Sequence, residues 1–350
     1  MTVAKSRTLV LGAGAWGTAL ALSLTRNVDN EVYLWGRDRL AMQKIRQQRV
    51  NEHYLPGIAL PDSLHVLVDE SFPEEIDLII AAVPFQTLRD VLTSVVGKIS
   101  GLGCIACACK GIEKGTLLRA DQIVAEVTSS STDFAIVSGP NFAIEVAEQR
   151  PAAITIASTN DRWAQELVRR FHAESFRPYS SEDIIGVQIG GALKNVIAIA
   201  AGICDGLNLG ANSRAALITR GLAEITRFGV AQGGQLETFM GLSGLGDLVL
   251  TCTDDKSRNR RFGLRLAHGA SVRDAIANVG LVEGATTATA LVRLADQMNI
   301  ALPISREVAD TVAGVTSPQQ AVQNLLARDP VAESAGLTRA TQESRSRLPE

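Results

Sequence analysis

Four groups of residues in this chain have types and spacing that can do chemistry. Gly12, Gly14 and Gly17 stand at G-x-G-x-x-G spacing between a short apolar run, Thr8–Leu11, and a helical stretch, Thr18–Leu24; a second apolar run, Val32–Trp35, completes a βαβ unit. In such a unit Gly12 makes the tight turn and Gly14 lets the backbone approach a pyrophosphate. Gly17 lets helix and strand pack closely, and the anion rests on the free N–H groups of the helix start. Lys194 is the only charged side chain between Val187 and Cys204. An ammonium in so apolar a helix is costly unless it faces a polar site, and desolvation lowers its pKa toward the range of proton transfer near neutrality. A lysine that carries its charge out to the surface along its own stem is the plain alternative. Asn195 beside it offers a neutral donor and acceptor. Asp247 ends Ser243-Gly-Leu-Gly-Asp247, which reads as a flexible turn. Next to Lys194 this carboxylate would hold the ammonium, while local sequence fits a simple cap equally well. Ser257-Arg258-Asn259-Arg260-Arg261 sets three guanidinium groups at a helix start with Ser257 as N-cap. Helix N–H groups with Arg form a phosphate site, although a solvated basic turn fits the same residues.

The elements that must position these groups alternate along the first half. Strands are expected at Thr8–Leu11, Val32–Trp35, Asp77–Val83, Gly103–Ala108, Phe134–Ser138 and Ala152–Ala157. Helices fall between them, at Leu40–Gln48, Phe85–Val96, Leu117–Val127 and Asp161–Phe171, with Asn51–Asp62 read as a loop. Alternation of this kind predicts a parallel, doubly wound Rossmann-type sheet that binds ligands in the loops after its strands. Lys110, Gly139 and Asn141 lie in such loops. From about residue 181 strand signals fade and long Ala-, Gly- and Leu-rich helical patterns take over, so the fold class is α/β with a C-terminal all-helical domain. The expected division is 1–180 for dinucleotide binding, 181–330 for substrate, and a polar, disordered tail over 331–350.

Arg37 is the first charge after the second strand. Asp or Glu there would bond the ribose 2′-hydroxyl of NAD, whereas Arg accommodates the 2′-phosphate, so NADP is favoured over NAD. A net charge of -3 and 4% aromatics argue against a nucleic-acid partner. Five cysteines scattered in apolar segments read as structural thiols of a reducing cytosol, and no set of ligands with metal spacing is present. The uncharged stretch after Lys5 and Arg7 imitates a signal peptide, yet removing it would destroy the βαβ unit, so it reads as structure in a cytoplasmic protein without a membrane span.

Several longer motifs carry a resemblance. GAGAWGTALA (Gly12–Ala21), VPFQ (Val83–Gln86), KGIE (Lys110–Glu113), SGPNFA (Ser138–Ala143), GGALKNVIA (Gly190–Ala198), GLGDLVLTCT (Gly244–Thr253) and SRNRRFG (Ser257–Gly263) resemble, in order, bacterial NAD(P)-dependent sn-glycerol-3-phosphate dehydrogenase. The resemblance implies reversible reduction of dihydroxyacetone phosphate to sn-glycerol 3-phosphate, supplying phospholipid synthesis, by a homodimer. It also implies that Lys194 is the general acid in reduction and the base in reverse, with Asp247 orienting it and Lys110 contacting both substrate and dinucleotide. Gly139, Asn141 and Asn195 would lie near the substrate, and Ser257, Arg258 and Asn259 would hold its phosphate. Ala15, Trp16, Arg37, Ala143, Leu281 and Glu283, with Arg258, would line the dinucleotide. Asn141 stands where the family more often has Ser or Thr, and Ala15 where some members have Ser. Two other readings use the same features: a two-domain β-hydroxyacid or sugar-acid dehydrogenase, and a dinucleotide sensor without catalysis.

Overall fold

The computed structural model describes residues 6–128, 131–330 and 332. The expectation of a disordered tail over 331–350 therefore lies outside the described residues, Ala332 excepted. The chain forms two compact units. One runs through Cys109 and resumes at Ala120–Ile184; the other takes Lys110–Arg119 and the chain from Ile185 onward. A single break near residue 180 thus misses the ten-residue segment Lys110–Arg119. Its apolar side chains Ile112 and Leu117 are buried in the core of the helical unit.

In the first unit the elements are β1 (Ser6–Leu11), α1 (Ala15–Leu24), β2 (Asn30–Trp35), α2 (Arg39–Gln48), β3 (Val50–Asn51), β4 (Leu55–Ala59), β5 (Leu64–Leu67) and β6 (Leu78–Ala81), then α3 (Leu88–Val96) after a 3₁₀ turn. β7 (Cys104–Cys107), α4 (Ala120–Val127), β8 (Asp133–Ser138), α5 (Ala143–Ala147), β9 (Ala152–Ser158), α6 (Asp161–Phe171) and β10 (Phe176–Ser181) follow. Eight strands form one sheet in the order β10-β9-β8-β7-β6-β1-β2-β5. β1 lies between β2 and β6, pairing Leu9 with Tyr33 on one side and with Ile79 on the other, both parallel. Strand order reverses at β1, the switch point where such sheets bind ligands. The central strands are buried on both faces, which explains their unbroken apolar runs.

Four features differ from the expected sheet, the first being β5, an additional edge strand paired parallel with β2. β9 runs antiparallel to β8. A parallel return needs a crossover of a dozen or more residues, usually a full helix, and five-residue α5 does not supply one. β10, whose Pro178 disguises it as a non-strand, lies at the sheet edge, where proline is tolerated. The expected loop Asn51–Asp62 contains most of a small hairpin, all of β4 and the second residue of β3.

The helical unit contains α7 (Ile184–Gly206), α8 (Gly210–Ala231), α9 (Leu236–Met240), a π-helical turn at Leu242–Gly246, α10 (Asp247–Thr253), α11 (Arg258–Ala267), α12 (Val272–Val279), α13 (Glu283–Gln297), α14 (Pro303–Val312) and α15 (Pro318–Leu326). Among the described residues α7 is the one helix long and apolar enough to cross a membrane, but it serves as the buried axis of this unit. Its neighbours close around it through an apolar core that takes in Ile112, Leu117 and residues from Ile189 to Ala309.

α14 is held by a carboxylate far away in sequence. Leu302 at its N-cap has no capping side chain. Instead Glu224 of α8, fully enclosed, accepts from the backbone N–H of Ile304 (2.6 Å) and Ser305 (3.1 Å) and from the Ser305 hydroxyl (2.9 Å). Removing this acceptor strands buried donors, each costing roughly 1–3 kcal/mol. Glu224→Ala is expected to destabilise the protein by about 3 kcal/mol in urea unfolding, with Glu224→Gln costing less; equal stability of Glu224→Ala and the parent would refute the capping role.

Candidate active site

The chemistry-bearing residues of the helical unit meet on α7. Gly190 and Lys194 lie one helical turn apart. A side chain at Gly190 would put its Cβ 2.7 Å from the Ser243 carbonyl oxygen, so the absence of one lets the π-turn sit directly on α7. One turn beyond Ser243 comes Asp247, which the same contact sets over Lys194. Lys194 Nζ donates to Asp247 Oδ1 and, at 2.8 Å, to Thr251 Oγ1. Lys110 Nζ donates to the other carboxylate oxygen, Oδ2. The Thr251 hydroxyl gives its own proton to the Asp247 carbonyl at 2.6 Å, so its lone pairs are left for the ammonium.

The centre of this cluster is enclosed. Asp247 is wholly buried and Lys194 nearly so. Burial is the largest influence on the Lys194 ammonium and lowers its pKa to about 8. Asp247 pulls it back up, while the second positive charge on Lys110 pushes it down further. The result is an amine that exchanges a proton near neutral pH, held at a defined point by a carboxylate that cannot leave. Removing Asp247 would leave two ammonium groups without their counter-charge, a loss of the order of 3–5 kcal/mol for a buried pair.

Asp247 does not lie in a flexible turn. It is the first residue of α10, directly after π-helical backbone, a local widening that is frequent at functional sites. Because Leu248–Leu250 continues as helix, Thr251 falls on the same face as Asp247. Reading that segment as a turn followed by an apolar run hid Thr251; its i, i+4 spacing from Asp247 was the available signal.

The basic cluster at α11 divides its labour. Ser257 caps the helix, its hydroxyl accepting from Arg260 N–H. Arg260 is buried and committed to Asp205 (2.6 Å) and Asp255, so it is a structural residue rather than part of an anion clamp. Arg258 and Arg261 are exposed. The Asn259 side chain is also committed, donating to Asn195 Oδ1 at 2.9 Å and accepting from Gly284 N–H at 3.0 Å. Leu281 is exposed ahead of α13, and Glu283 is that helix's first residue.

In the first unit the expected dinucleotide residues gather at the C-terminal ends of the parallel strands. Gly12 follows β1 with φ +109°, and a Cβ there would strike the Ala82 carbonyl oxygen at 2.6 Å. A Cβ on Gly17 would strike the Gly12 carbonyl at 1.9 Å, whereas one on Gly14 would enter open space. Gly14 is the N-cap of α1 and makes no side-chain cap, so the N–H groups of Ala15, Trp16 and Gly17 head the helix as donors. This cradle suits a pyrophosphate. Arg37 is exposed after β2, while the neighbouring Asp38 spends its carboxylate on the N–H of Ala41 at 3.0 Å. Gly139 follows β8 with φ +143°. Asn141 donates to the Ala153 carbonyl at 2.8 Å, and its buried Oδ1 has no hydrogen-bond partner among the described residues. Ala143 opens α5. Among the described residues no group of three or more His, Cys, Asp or Glu side chains is placed to hold a metal ion.

Sequence reasoning also missed Asn51. This side chain, 2% exposed, donates to the Ala13 carbonyl and to the Thr18 hydroxyl, both at 2.9 Å. It ties the glycine-rich loop to the first turn of α1 from the β3–β4 hairpin, a segment that had read as plain loop.

Comparison with known proteins identifies the family of the chain. Family models described as NAD-dependent glycerol-3-phosphate dehydrogenase N-terminus and C-terminus match residues 8–164 and 183–323. The chain is 46% identical over 331 residues to the glycerol-3-phosphate dehydrogenase [NAD(P)+] of Nitrosococcus oceani, covering 94% of this chain and 96% of that one. It is 48% identical over 322 residues to the protein of the same name from Thiobacillus denitrificans, covering 91% and 97%. The crystal structure of glycerol-3-phosphate dehydrogenase from Coxiella burnetii matches with a TM-score of 0.89 at 41% identity, over 93% of this chain and all of that one.

The tether on the glycine-rich loop has a measurable consequence. Asn51→Ala frees the Ala13 carbonyl, and dinucleotide affinity is expected to fall roughly tenfold, as for loss of one or two ordering hydrogen bonds. Titration of nicotinamide fluorescence measures it; an unchanged Kd would show that the loop holds its shape without Asn51.

Proposed function

Because this chain belongs to the NAD-dependent glycerol-3-phosphate dehydrogenase family, we propose a division of labour among its residues for that reaction. The protein interconverts dihydroxyacetone phosphate and sn-glycerol 3-phosphate with NAD or NADP. The nicotinamide, when bound, supplies or accepts the hydride at the substrate's second carbon. The protein's share is to orient the reactants, move one proton and hold an anion.

Lys194 moves the proton. In reduction its ammonium gives a proton to the carbonyl oxygen as negative charge develops there; in oxidation the neutral amine takes it from the hydroxyl. The buried cluster of Lys194, Asp247, Thr251 and Lys110 is the observation that carries this assignment, since it supplies a desolvated amine of fixed position. Asp247 orients Lys194, and Lys110 contacts the substrate. Arg258, with the N–H groups at the start of α11, holds the phosphate, whose binding energy positions the remote carbonyl. Gly139, Asn141 and Asn195 contact the rest of the substrate, the orphaned Asn141 oxygen being suited to accept from a hydroxyl.

The dinucleotide rests on Gly12, Gly14, Ala15, Trp16 and Gly17. Arg37, Ala143, Lys110, Arg258, Leu281 and Glu283 complete its surroundings. The commitment of Asp38 to α2 leaves Arg37 as the group for a ribose 2′-phosphate and supports a preference for NADPH. The enzyme works in the cytoplasm as a homodimer in support of phospholipid synthesis, as its family resemblance indicates.

The test follows NADPH oxidation at 340 nm with dihydroxyacetone phosphate, beside unphosphorylated dihydroxyacetone and with NADH in parallel. Fast turnover of the phosphorylated ketone alone, with NADPH preferred, is expected. Lys194→Met should lower turnover by roughly 10²–10⁴-fold, the usual share of a general acid, with dinucleotide affinity little changed. Reduction needs the protonated amine, so its rate should fall as pH rises through about 8, while oxidation of sn-glycerol 3-phosphate should rise through the same range. Normal turnover by Lys194→Met would remove the assignment.

A further inference from the structure

One hydrogen-bond chain in the helical unit has a direction that is set at both ends. Its first donor is the backbone N–H of Gly284, at the start of α13, which lies 3.0 Å from Asn259 Oδ1. The Asn259 Nδ2 then donates to Asn195 Oδ1 at 2.9 Å, and Asn195 Nδ2 faces the Gly191 carbonyl of its own helix at 3.4 Å. An amide side chain can be turned end for end, exchanging its donor and acceptor. Here neither can turn. A backbone N–H only donates, so Asn259 must present oxygen to Gly284 and nitrogen to Asn195. Asn195 must answer with oxygen, which leaves its nitrogen toward the Gly191 carbonyl, a group that only accepts. Both terminal groups demand the same polarity, and both side chains are buried, so water does not relieve a reversed arrangement.

We propose that Asn259 is a positioning residue that fixes the polarity of Asn195, so that Asn195 meets the substrate as a hydrogen-bond donor. This rests on the reading above that Asn195 touches the substrate. Each amide nitrogen carries two protons, and the chain consumes one at Asn195. The second is directed by Asn259 rather than by Asn195 itself, and it suits an oxygen that accepts in both redox states, the ketone oxygen and the hydroxyl made from it. Asn259 therefore serves through its side chain inside the protein, and only its backbone N–H, near the start of α11, remains for a phosphate.

A second observation, independent of the amides, marks the same junction. A Cβ on Gly284 would lie 2.5 Å from the Asn195 carbonyl oxygen and 2.8 Å from Asn259 Oδ1. The start of α13 is packed so tightly on the pair that no side chain fits. Since Glu283 immediately precedes Gly284 and Leu281 lies three residues before it, the segment read as lining the dinucleotide is hydrogen-bonded to Asn259 and packed on Asn195, the residue next to Lys194.

A double-mutant cycle with Asn259→Ala and Asn195→Ala tests the proposal, reading kcat and KM for dihydroxyacetone phosphate, dinucleotide Kd and thermal stability for each variant. Asn259→Ala alone is expected to lower kcat/KM roughly tenfold, and in the Asn195→Ala background to lower it hardly further, because residues sharing one hydrogen-bond chain are non-additive. Asn259→Asp is the second probe. Its carboxylate still accepts from Gly284 but cannot donate to Asn195, so the bond that sets that amide is lost; it should lose kcat/KM like Asn259→Ala while binding dinucleotide as the parent does, with its thermal stability read alongside. Equal losses from Asn259→Ala in both backgrounds would overturn the proposal and give Asn259 a contact of its own. Full activity of Asn259→Asp would overturn it too. Full activity of Asn195→Ala would instead refute the underlying reading that Asn195 touches the substrate, and the proposal would fall with it.

Discussion

A single carboxylate inside an apolar helical unit decides the character of this protein. Asp247 holds two ammonium groups, one on each oxygen, and is itself wholly enclosed. Without it, the Lys194 ammonium would be buried among the side chains of α7 and its neighbours with no counter-charge. With it, the two lysines are not equivalent. Lys194 is the more deeply buried, and its pKa falls to about 8 despite its partner, because desolvation outweighs attraction. That placement supports the proposed proton exchange more than it supports stability, since buried ion pairs often contribute little net stability.

The remaining architecture places that carboxylate. α7 is apolar on every face because it is an axis surrounded on all sides, not an amphipathic surface helix. A helix so enclosed must admit its neighbours' backbones closely, which it does at Gly190 beneath the π-turn and at Asn195 beneath Gly284. Both contacts lie within one turn of Lys194. Precision at the reactive amine therefore comes from backbone packed on backbone, which has fewer ways to relax than side chains have. In the first unit the parallel sheet plays the corresponding part by aiming the loops after β1, β2 and β8 in one direction.

Much of this was legible in the residues. The βαβ signature of Thr8–Trp35 and the isolation of Lys194 in an apolar run each have one dominant physical cause, and local patterns reveal such causes well. The direction of β9 was hidden because strand composition does not encode polarity; the shortness of the connecting helix α5 does. Thr251 and Asn51 were hidden for a related reason. Each acts through a neighbour whose position depends on a backbone feature, the π-turn in one case and a two-residue strand in the other. The role of Arg260 shows the opposite error. Three arginines within four residues invite one common purpose, yet partners distant in sequence, Asp205 above all, divide them into structural and exposed groups. Asp205 could not be paired with Arg260 until the fold brought α7 and α11 together.

The excursion of Lys110–Arg119 bears on how the two halves of the chain can be separated. Three chain crossings, after Cys109, Arg119 and Ile184, join the units, so no single cut divides them. A fragment ending at Ile184 would carry Ile112 and Leu117 without the core that buries them, and would expose a greasy strap on an otherwise complete sheet-bearing half. The complementary fragment would keep Lys194 and Asp247 but lose the second ammonium. Swapping one half between related enzymes at a single junction would pair this strap with a foreign core. The two halves are consequently bound to vary together, and recombination that respects the fold must carry the strap across with the helices it packs against.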